Sequence, residues 1–411
     1  MQYPKVLIIG QTFNDYTGGG ITLSNLFHAW PKDRIAVLAN NNIYILSNTV
    51  CENNRGLNRY KWPICLFMNR QVRVAPSDTK LRPSNPYVNR FSLLTKMGII
   101  PMLHSSYLDK QTISWIRSFG PDVIYTQLAD YSLMKIVQKV KQLTGKPLAI
   151  HFMDDWPNDI YSGPLLNQYY RRRAIICLKR LISISSSVLC ICEMMAKEYS
   201  TRYDRECHFL YNTPIIQLST GNKRTLTVKK KNIGYFGRIG KGNYKTMVNF
   251  LNVLTHQEDI KLTLFSPDYK VFEDYNKYPN ISINPATLSR DEVVKIYQDM
   301  DLLYLSIDFD AESVKFLRLS FATKVFDYLS ASVPVLLQAP RGTAMAEFFI
   351  QNKCGFVLSE SSPTCIESFI SNFYKGQYDE VSVLQNAEKT FNTFANFEKN
   401  REKFMNILRT I

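Results

Sequence analysis

The chain has 411 residues, which at about 100–200 residues per domain indicates two or three domains. A hydrophobic fraction of 45% and a charged fraction of 21% exclude general disorder. The net charge of +15 is uneven: residues 1–215 hold 26 Lys+Arg against 14 Asp+Glu, the remainder 24 against 21, so an anionic partner is expected for the first half alone.

In chain order, MQYPKVLIIG reads as the first buried strand of a cytosolic protein rather than an export signal. No apolar run approaches the ~18 residues that would span a bilayer. Further strands are predicted at IAVLAN (35–40), DVIYTQL (122–128), PLAIHFM (147–153), SVLCIC (187–192) and HFLYN (208–212). Helical patterns such as ITLSNLFHAW and SLMKIVQKVKQLTG lie between them, the second closing on Gly145 as a C-cap. Strands apolar on both faces and alternating with helices predict a parallel sheet covered on two sides. Eight cysteines without a C-x-x-C pair form neither a disulfide scaffold nor a metal motif, and Cys190 and Cys192 are expected as buried thiols.

The polar, basic stretch 216–231 reads as a linker between a first domain, 1–215, and a second, 232–383. The second repeats the pattern with NIGYFGRI (232–239), KLTLFSP (261–267), ISINPATL (281–288), DLLYLSI (301–307), PVLLQAP (334–340) and GFVLSE (355–360). Ser289 and Glu292 have capping-box spacing before the helix that follows ISINPATL. The end, about 384–411, is expected as one long helix packing back on the first domain. Two doubly wound α/β domains of this kind place ligands at the C-terminal ends of their strands, here in a cleft expected between the domains.

Four passages carry candidate chemistry. Gly18, Gly19 and Gly20 open a helix, where backbone N–H groups can receive a phosphate or simply form a β–α loop. IHFMDDWPND places His151, Asp154 and Asp155 at a strand end, as a polar site or a solvated helix start. A single nearby histidine gives no metal spacing. FGRIGKGNYK sets Arg238, Lys241 and Lys245 among glycines, suited to clamping a diphosphate. In SFATKVFDYL, Ser320 or Thr323 can cap a helix that carries Lys324 and Asp327 one turn apart, as an i,i+3 salt bridge or with the acid accepting from a ribose diol.

Together these passages resemble the GT-B glycosyltransferases, in particular family 4, the retaining nucleotide-sugar enzymes of bacterial polysaccharide and glycolipid assembly. The resemblance rests most on KVFDYLSASVPVLL, with LAIHFMDDW, FLYNTP, YFGRIGKG and LSRDEVVKIYQDMDLLYLS in the family's order. It implies two Rossmann-like domains: acceptor-binding, with the C-terminal helix, and nucleotide-sugar-binding. It implies Asp327 at the ribose, Arg238 at the diphosphate, His151 near the transferred sugar, and no metal or other cofactor. Where the family carries the first glutamate of its E-x7-E motif, this chain has Leu319.

The expected activity is transfer from a nucleotide-diphosphate sugar to a saccharide or lipid-linked saccharide. The alternative is a catalytically silent GT-B partner that binds a glycan or polypeptide and assists a true transferase. A nucleic-acid partner is not expected, because neither a stacking platform nor a helix-turn-helix is visible. Residues 55–117 carry eleven basic and two acidic side chains, and 169–182 carry Arg171–Arg173, Lys179 and Arg180, with Tyr169, Tyr170, Trp62, Phe67 and Phe91 interleaved. These patches predict a cytoplasmic protein held peripherally on an anionic membrane surface.

Overall fold

A computed structural model describes residues 3–14, 17–40, 50–57, 60–62, 98–128, 130–164, 166–214, 230–286 and 290–411. The chain divides into two compact units, residues 1–212 with 398–411, and residues 213–397. The predicted linker lies outside the described residues except for Lys230 and Lys231, and so does Ser289 of the predicted capping box.

The first unit is built on β1 (Val6–Ile9), β2 (Ile35–Asn40), β3 (Asn53–Leu57), β4 (Val123–Thr126), β5 (Leu148–Phe152), β6 (Ser187–Cys190) and β7 (His208–Phe209). They form one parallel sheet in the order β3-β2-β1-β4-β5-β6-β7. Every residue of β1, β4, β5 and β6 is buried, as the continuous apolar runs require of a sheet covered on both faces. Helix Tyr131–Thr144 starts on the Asp130 side chain and stops at Gly145, whose φ of +66° only glycine adopts freely. Cys190 and Cys192 are buried.

The second unit carries β8 (Asn232–Phe236), β9 (Lys261–Ser266), β10 (Ile281–Pro285), β11 (Leu302–Ser306), β12 (Val335–Gln338) and β13 (Phe356–Leu358), in the parallel order β10-β9-β8-β11-β12-β13. Strand order reverses at β8 and β11, where ligands bind in sheets of this kind. The core on one face gathers Phe250 and Tyr304, stacked at 3.9 Å, with Leu254, Leu264 and Phe373.

The single terminal helix expected over 384–411 is two. Helix Glu380–Phe394 belongs to the second unit, where Phe394 meets Phe348 at 5.4 Å, and it ends at the buried Ala395. Helix Phe397–Thr410 returns to the first unit and buries Phe404 and Leu408 against Phe27, Trp30 and Tyr125. The helix expected from Ser320 or Thr323 is also shorter, Val325–Ser330. Lys324 stands at its N-cap, and no side-chain hydrogen bond caps it.

Candidate functional site

In the first unit the C-terminal edge of the sheet carries a chain of buried polar groups. His151, the fourth residue of β5, is 1% exposed. Its Nδ1 lies 2.7 Å from the Tyr125 hydroxyl on the neighbouring β4. Gln127 Nε2 donates to that hydroxyl at 3.2 Å, and Gln11 Nε2 donates to Gln127 Oε1 at 3.3 Å. Since the phenol accepts from Gln127, its own proton goes to His151 Nδ1, an assignment made from the hydrogen-bond chain. The imidazole proton is then on Nε2, which is buried without a hydrogen-bond partner. Burial lowers the His151 pKa to about 3, so the ring is neutral and offers Nε2–H as a donor.

The three glycines sit beside this chain, and packing explains two of them. A Cβ on Gly19 would lie 2.3 Å from Gln11 Nε2 and 2.4 Å from Gln127 Oε1, and one on Gly20 would strike the Asn14 side chain at 2.2 Å. The Gly20 N–H already donates to Thr17 Oγ1 at 3.1 Å. Gly18 alone of the three is exposed. Of the three glycine N–H groups at this helix start, that of Gly20 is therefore already engaged by the Thr17 cap.

The two adjacent aspartates separate. Asp154 is exposed, whereas Asp155 is 0% exposed and committed to the fold. Asp155 Oδ1 accepts from Tyr199 OH at 2.7 Å and Arg202 Nη1 at 2.8 Å, and Oδ2 accepts from Asn158 Nδ2 at 2.6 Å. Asp155 is thus a buried anchor to helix Glu193–Tyr203, and of the two aspartates expected at a polar site or a solvated helix start only Asp154 is exposed.

His151 is also a stability element with a defined sign. Between about pH 6.5, the ordinary histidine value, and about 3, the unfolded chain binds a proton that the folded chain does not. Stability from this group is therefore full above pH 6.5 and falls by up to about 1.4 kcal/mol per pH unit below it. Urea unfolding at pH 6.5 and 5 should show a loss of about 2 kcal/mol in the wild type that His151→Gln removes. An equal loss in both proteins would contradict the buried neutral ring.

In the second unit, the loop after β8 is fixed by a lattice of hydrogen bonds. Tyr235 OH donates to Arg238 O at 2.6 Å, and Asn243 Nδ2 donates to Tyr235 OH at 3.1 Å and to Arg238 O at 3.2 Å. Gly240 N donates to Asn243 Oδ1 at 2.8 Å. Asp308, 2% exposed, ties the loop to the end of β11: its N–H donates to Gly242 O at 2.6 Å, and its Oδ1 accepts from Thr246 N at 2.7 Å. Three cations project from this frame, each beside an acid. Arg238 Nε lies 3.5 Å from Asp268, Lys241 Nζ 3.3 Å from Glu312, and Lys245 Nζ 3.1 Å from Asp310. Hydrogen bonds from Ser313 hold the Asp310 carboxyl down to about 2, with Lys245 adding to the effect. The solvent-facing Lys241–Glu312 and Lys245–Asp310 pairs contribute at most about 1 kcal/mol, so a polyanion can exchange for those two carboxylates at small cost, whereas the Asp268 oxygen beside Arg238 is buried.

Lys324 lies beneath the same loop. Its Nζ donates to Phe236 O at 3.1 Å and sits 3.8 Å from the centre of the Tyr235 ring. A Cβ on Gly237, whose φ is +137°, would come within 2.9 Å of that ammonium. Although the residue as a whole keeps some exposure, the ammonium is enclosed, and burial lowers its pKa to about 7. Tyr328 OH accepts from Phe236 N at 2.8 Å, so helix Val325–Ser330 is pinned to the end of β8. Asp327 occupies the first turn of that helix. Ser320 Oγ is buried without a hydrogen-bond partner, and Thr323 is half-buried. Leu319 is 0% exposed and is a core residue.

The structure thus brings Arg238, Lys241, Lys245 and Lys324 to one strand end of the second unit, and His151 and Gly18 to the corresponding edge of the first. The sequence reading missed Tyr125, Gln127, Asp268 and Asp308. Of these, Gln127, Asp268 and Asp308 sit one or two positions past a strand, a place where a polar residue is a usable signal. Of the basic and aromatic residues noted earlier between 55 and 97, Arg59, Arg70, Arg73, Lys80, Arg82, Arg90, Lys96, Phe67 and Phe91 lie outside the described residues.

No family model matches the chain, and no curated protein matches it. Solved structures do match in fold. Anabaena HepE in complex with UDP-glucose aligns over 100% of both chains with a TM-score of 0.63 and 12% identity. Sucrose-phosphate synthase from Thermosynechococcus elongatus covers 99% of this chain and 98% of its own, with a TM-score of 0.60 and 8% identity. Acinetobacter baumannii MurG aligns over 99% of this chain and 100% of its own, with a TM-score of 0.51 and 13% identity. The fold is the GT-B fold, with two Rossmann-like domains of seven and six parallel strands.

Proposed function

We propose that the protein is a glycosyltransferase that moves a sugar from a nucleoside-diphosphate sugar to a saccharide or lipid-linked saccharide, in polysaccharide or glycolipid assembly of the bacterial type. The observation that carries this reading is the cluster of Arg238, Lys241 and Lys245 around a glycine loop, with the Lys324 ammonium beneath it. It lies where a doubly wound sheet binds ligands. The HepE and sucrose-phosphate synthase folds support it, the former solved with UDP-glucose.

In this reading the second unit holds the donor. The Arg238 guanidinium takes two diphosphate oxygens, while Lys241 and Lys245 exchange Glu312 and Asp310 for phosphate. Asp327 accepts from the ribose diol. The leaving group is a diphosphate, so stabilising its growing charge is the main catalytic task, and these fixed cations perform it without a metal. The first unit holds the acceptor, beside neutral His151, whose buried Nε2–H is an unused donor at this strand end. The resemblance to family 4 favours retention of configuration at the transferred carbon.

A thermal-shift panel of nucleoside diphosphates and their sugar conjugates tests the reading. One nucleotide should stabilise the protein, and Arg238→Ala or Asp327→Ala should each lower its affinity by about 1–3 kcal/mol. His151→Ala should leave nucleotide affinity unchanged. Loss of nucleotide affinity in His151→Ala equal to that in Arg238→Ala would contradict the division of roles. A catalytically silent partner protein is the second reading, and Leu319, buried where the family has a glutamate, is the observation in its favour.

A further inference from the structure

The buried hydrogen bonds that end at His151 all run in one direction, and the backbone fixes which. Thr12 N–H can only donate, and it does so to Gln11 Oε1 at 3.0 Å. Gln11 must therefore turn its amide nitrogen to Gln127, whose Oε1 accepts at 3.3 Å. That leaves Gln127 Nε2 to donate, at 3.2 Å to Tyr125 OH and at 3.4 Å to Gly19 O, a carbonyl that can only accept. Two backbone groups, one at each glutamine, thus settle both amide orientations.

The direction carries through to the ring. Tyr125 is 0% exposed, and burial raises its pKa, so the phenol keeps its proton. Having accepted from Gln127, it gives that proton to His151 Nδ1 at 2.7 Å. Packing holds the tyrosine in place: Phe27 and Phe404 stand edge-on to its ring at 5.7 and 5.8 Å, and the His151 ring at 6.0 Å. Gly19 is what lets the two glutamines meet, since a Cβ there would crowd both amides.

We infer that Gln11, Gln127 and Tyr125 are positioning residues for the proposed transfer: they lock His151 as its Nε2–H tautomer, so that the ring meets a substrate oxygen as a hydrogen-bond donor and never as a base. The inference rests on the transferase reading of this strand end. A histidine whose Nδ1–H is held by a carbonyl or carboxylate has a bare Nε2 that can take up a proton. A phenol donating to Nδ1 gives the reverse. The Nε2–H has no partner in the free protein, so a substrate oxygen that accepts it satisfies a buried donor.

NMR of the imidazole nitrogens in the full chain tests the proposal, because couplings to the ring C–H protons show which nitrogen carries the hydrogen. His151→Gln identifies the His151 signals among those of the five histidines. In the wild type the hydrogen should sit on Nε2 and stay there from about pH 8 to about 5.5. Tyr125→Phe should release the ring to a mixture of both tautomers. So should Gly19→Ala, which forces the two glutamines apart and leaves the tyrosine in place; it carries the same test if Tyr125→Phe does not fold. Hydrolysis of the sugar conjugate of whichever nucleotide binds should fall about tenfold in Tyr125→Phe, with nucleotide affinity within about twofold of wild type. General loosening of the fold would not give that split. A wild-type ring protonated on Nδ1, a ring still locked on Nε2 in both variants, or unchanged hydrolysis in Tyr125→Phe would overturn the proposal. Absent nucleotide affinity in the wild type would overturn the transferase reading and the role in transfer with it, while the spectrum decides the tautomer lock by itself.

Discussion

Asp155→Ala is expected to lower the stability of the first unit by about 3 kcal/mol, the lower end of what breaking a buried ion pair costs. The carboxylate is fully enclosed, and its loss leaves the Tyr199 hydroxyl without this partner and the Arg202 guanidinium with Glu198 as its remaining acid; the two now share Asp155 Oδ1. Arg202 keeps 23% of its side-chain exposure, so water compensates in part and the upper end of the range is not reached. Asp154→Ala, one residue earlier and exposed, should change stability by no more than about 0.5 kcal/mol. Urea unfolding of the two variants measures the contrast. Equal effects would show that the pair acts as one surface feature.

Lys324→Met should reduce nucleoside-diphosphate affinity at pH 7 by about tenfold or more, the loss of one charge-assisted contact. It should also change the pH dependence. With an ammonium pKa near 7 in the free protein, Lys324 is largely neutral above that pH, and a bound diphosphate favours the charged form. Binding above pH 7 then takes up a proton, and wild-type affinity falls by as much as about tenfold per pH unit. The methionine variant, with no proton to take up there, should lose that part of the slope. Calorimetry from pH 7 to 9, in buffers of different ionisation heat, reads the proton directly. An unchanged slope in Lys324→Met would remove the lysine from the phosphate site.

How much of this was legible in the sequence depended on whether a residue's partner was local. The two parallel sheets were readable because β1, β4, β5 and β6 are apolar on both faces. The edge strand β3, Asn53–Leu57, carries Asn-Asn-Arg-Gly and gave no such signal, since only its last residue is buried. The break at Ala395–Asn396 was hidden because the phenylalanines on either side keep helical spacing, although Phe391 and Phe404 pack in different units. Arg238, Lys241 and Lys245 were visible as a glycine-punctuated basic loop. Their acids, Asp268, Glu312 and Asp310, come from segments that only the fold brings near. The same holds for Asp155: vicinal aspartates look alike in sequence, and only Tyr199 and Arg202, more than forty residues on, distinguish them.

The central claim, that the second unit binds a nucleoside-diphosphate sugar and labilises its diphosphate, is tested most directly by donor hydrolysis in the absence of acceptor. Using the sugar conjugate of whichever nucleotide stabilises the protein, release of free nucleoside diphosphate should be slow but measurable in the wild type. It should fall by about tenfold or more in Arg238→Ala, for loss of a charge-assisted contact to the leaving group, and be unaffected by Asp154→Ala. Tight nucleotide binding with no release above the uncatalysed rate, or release that Arg238→Ala leaves unchanged, would contradict the account.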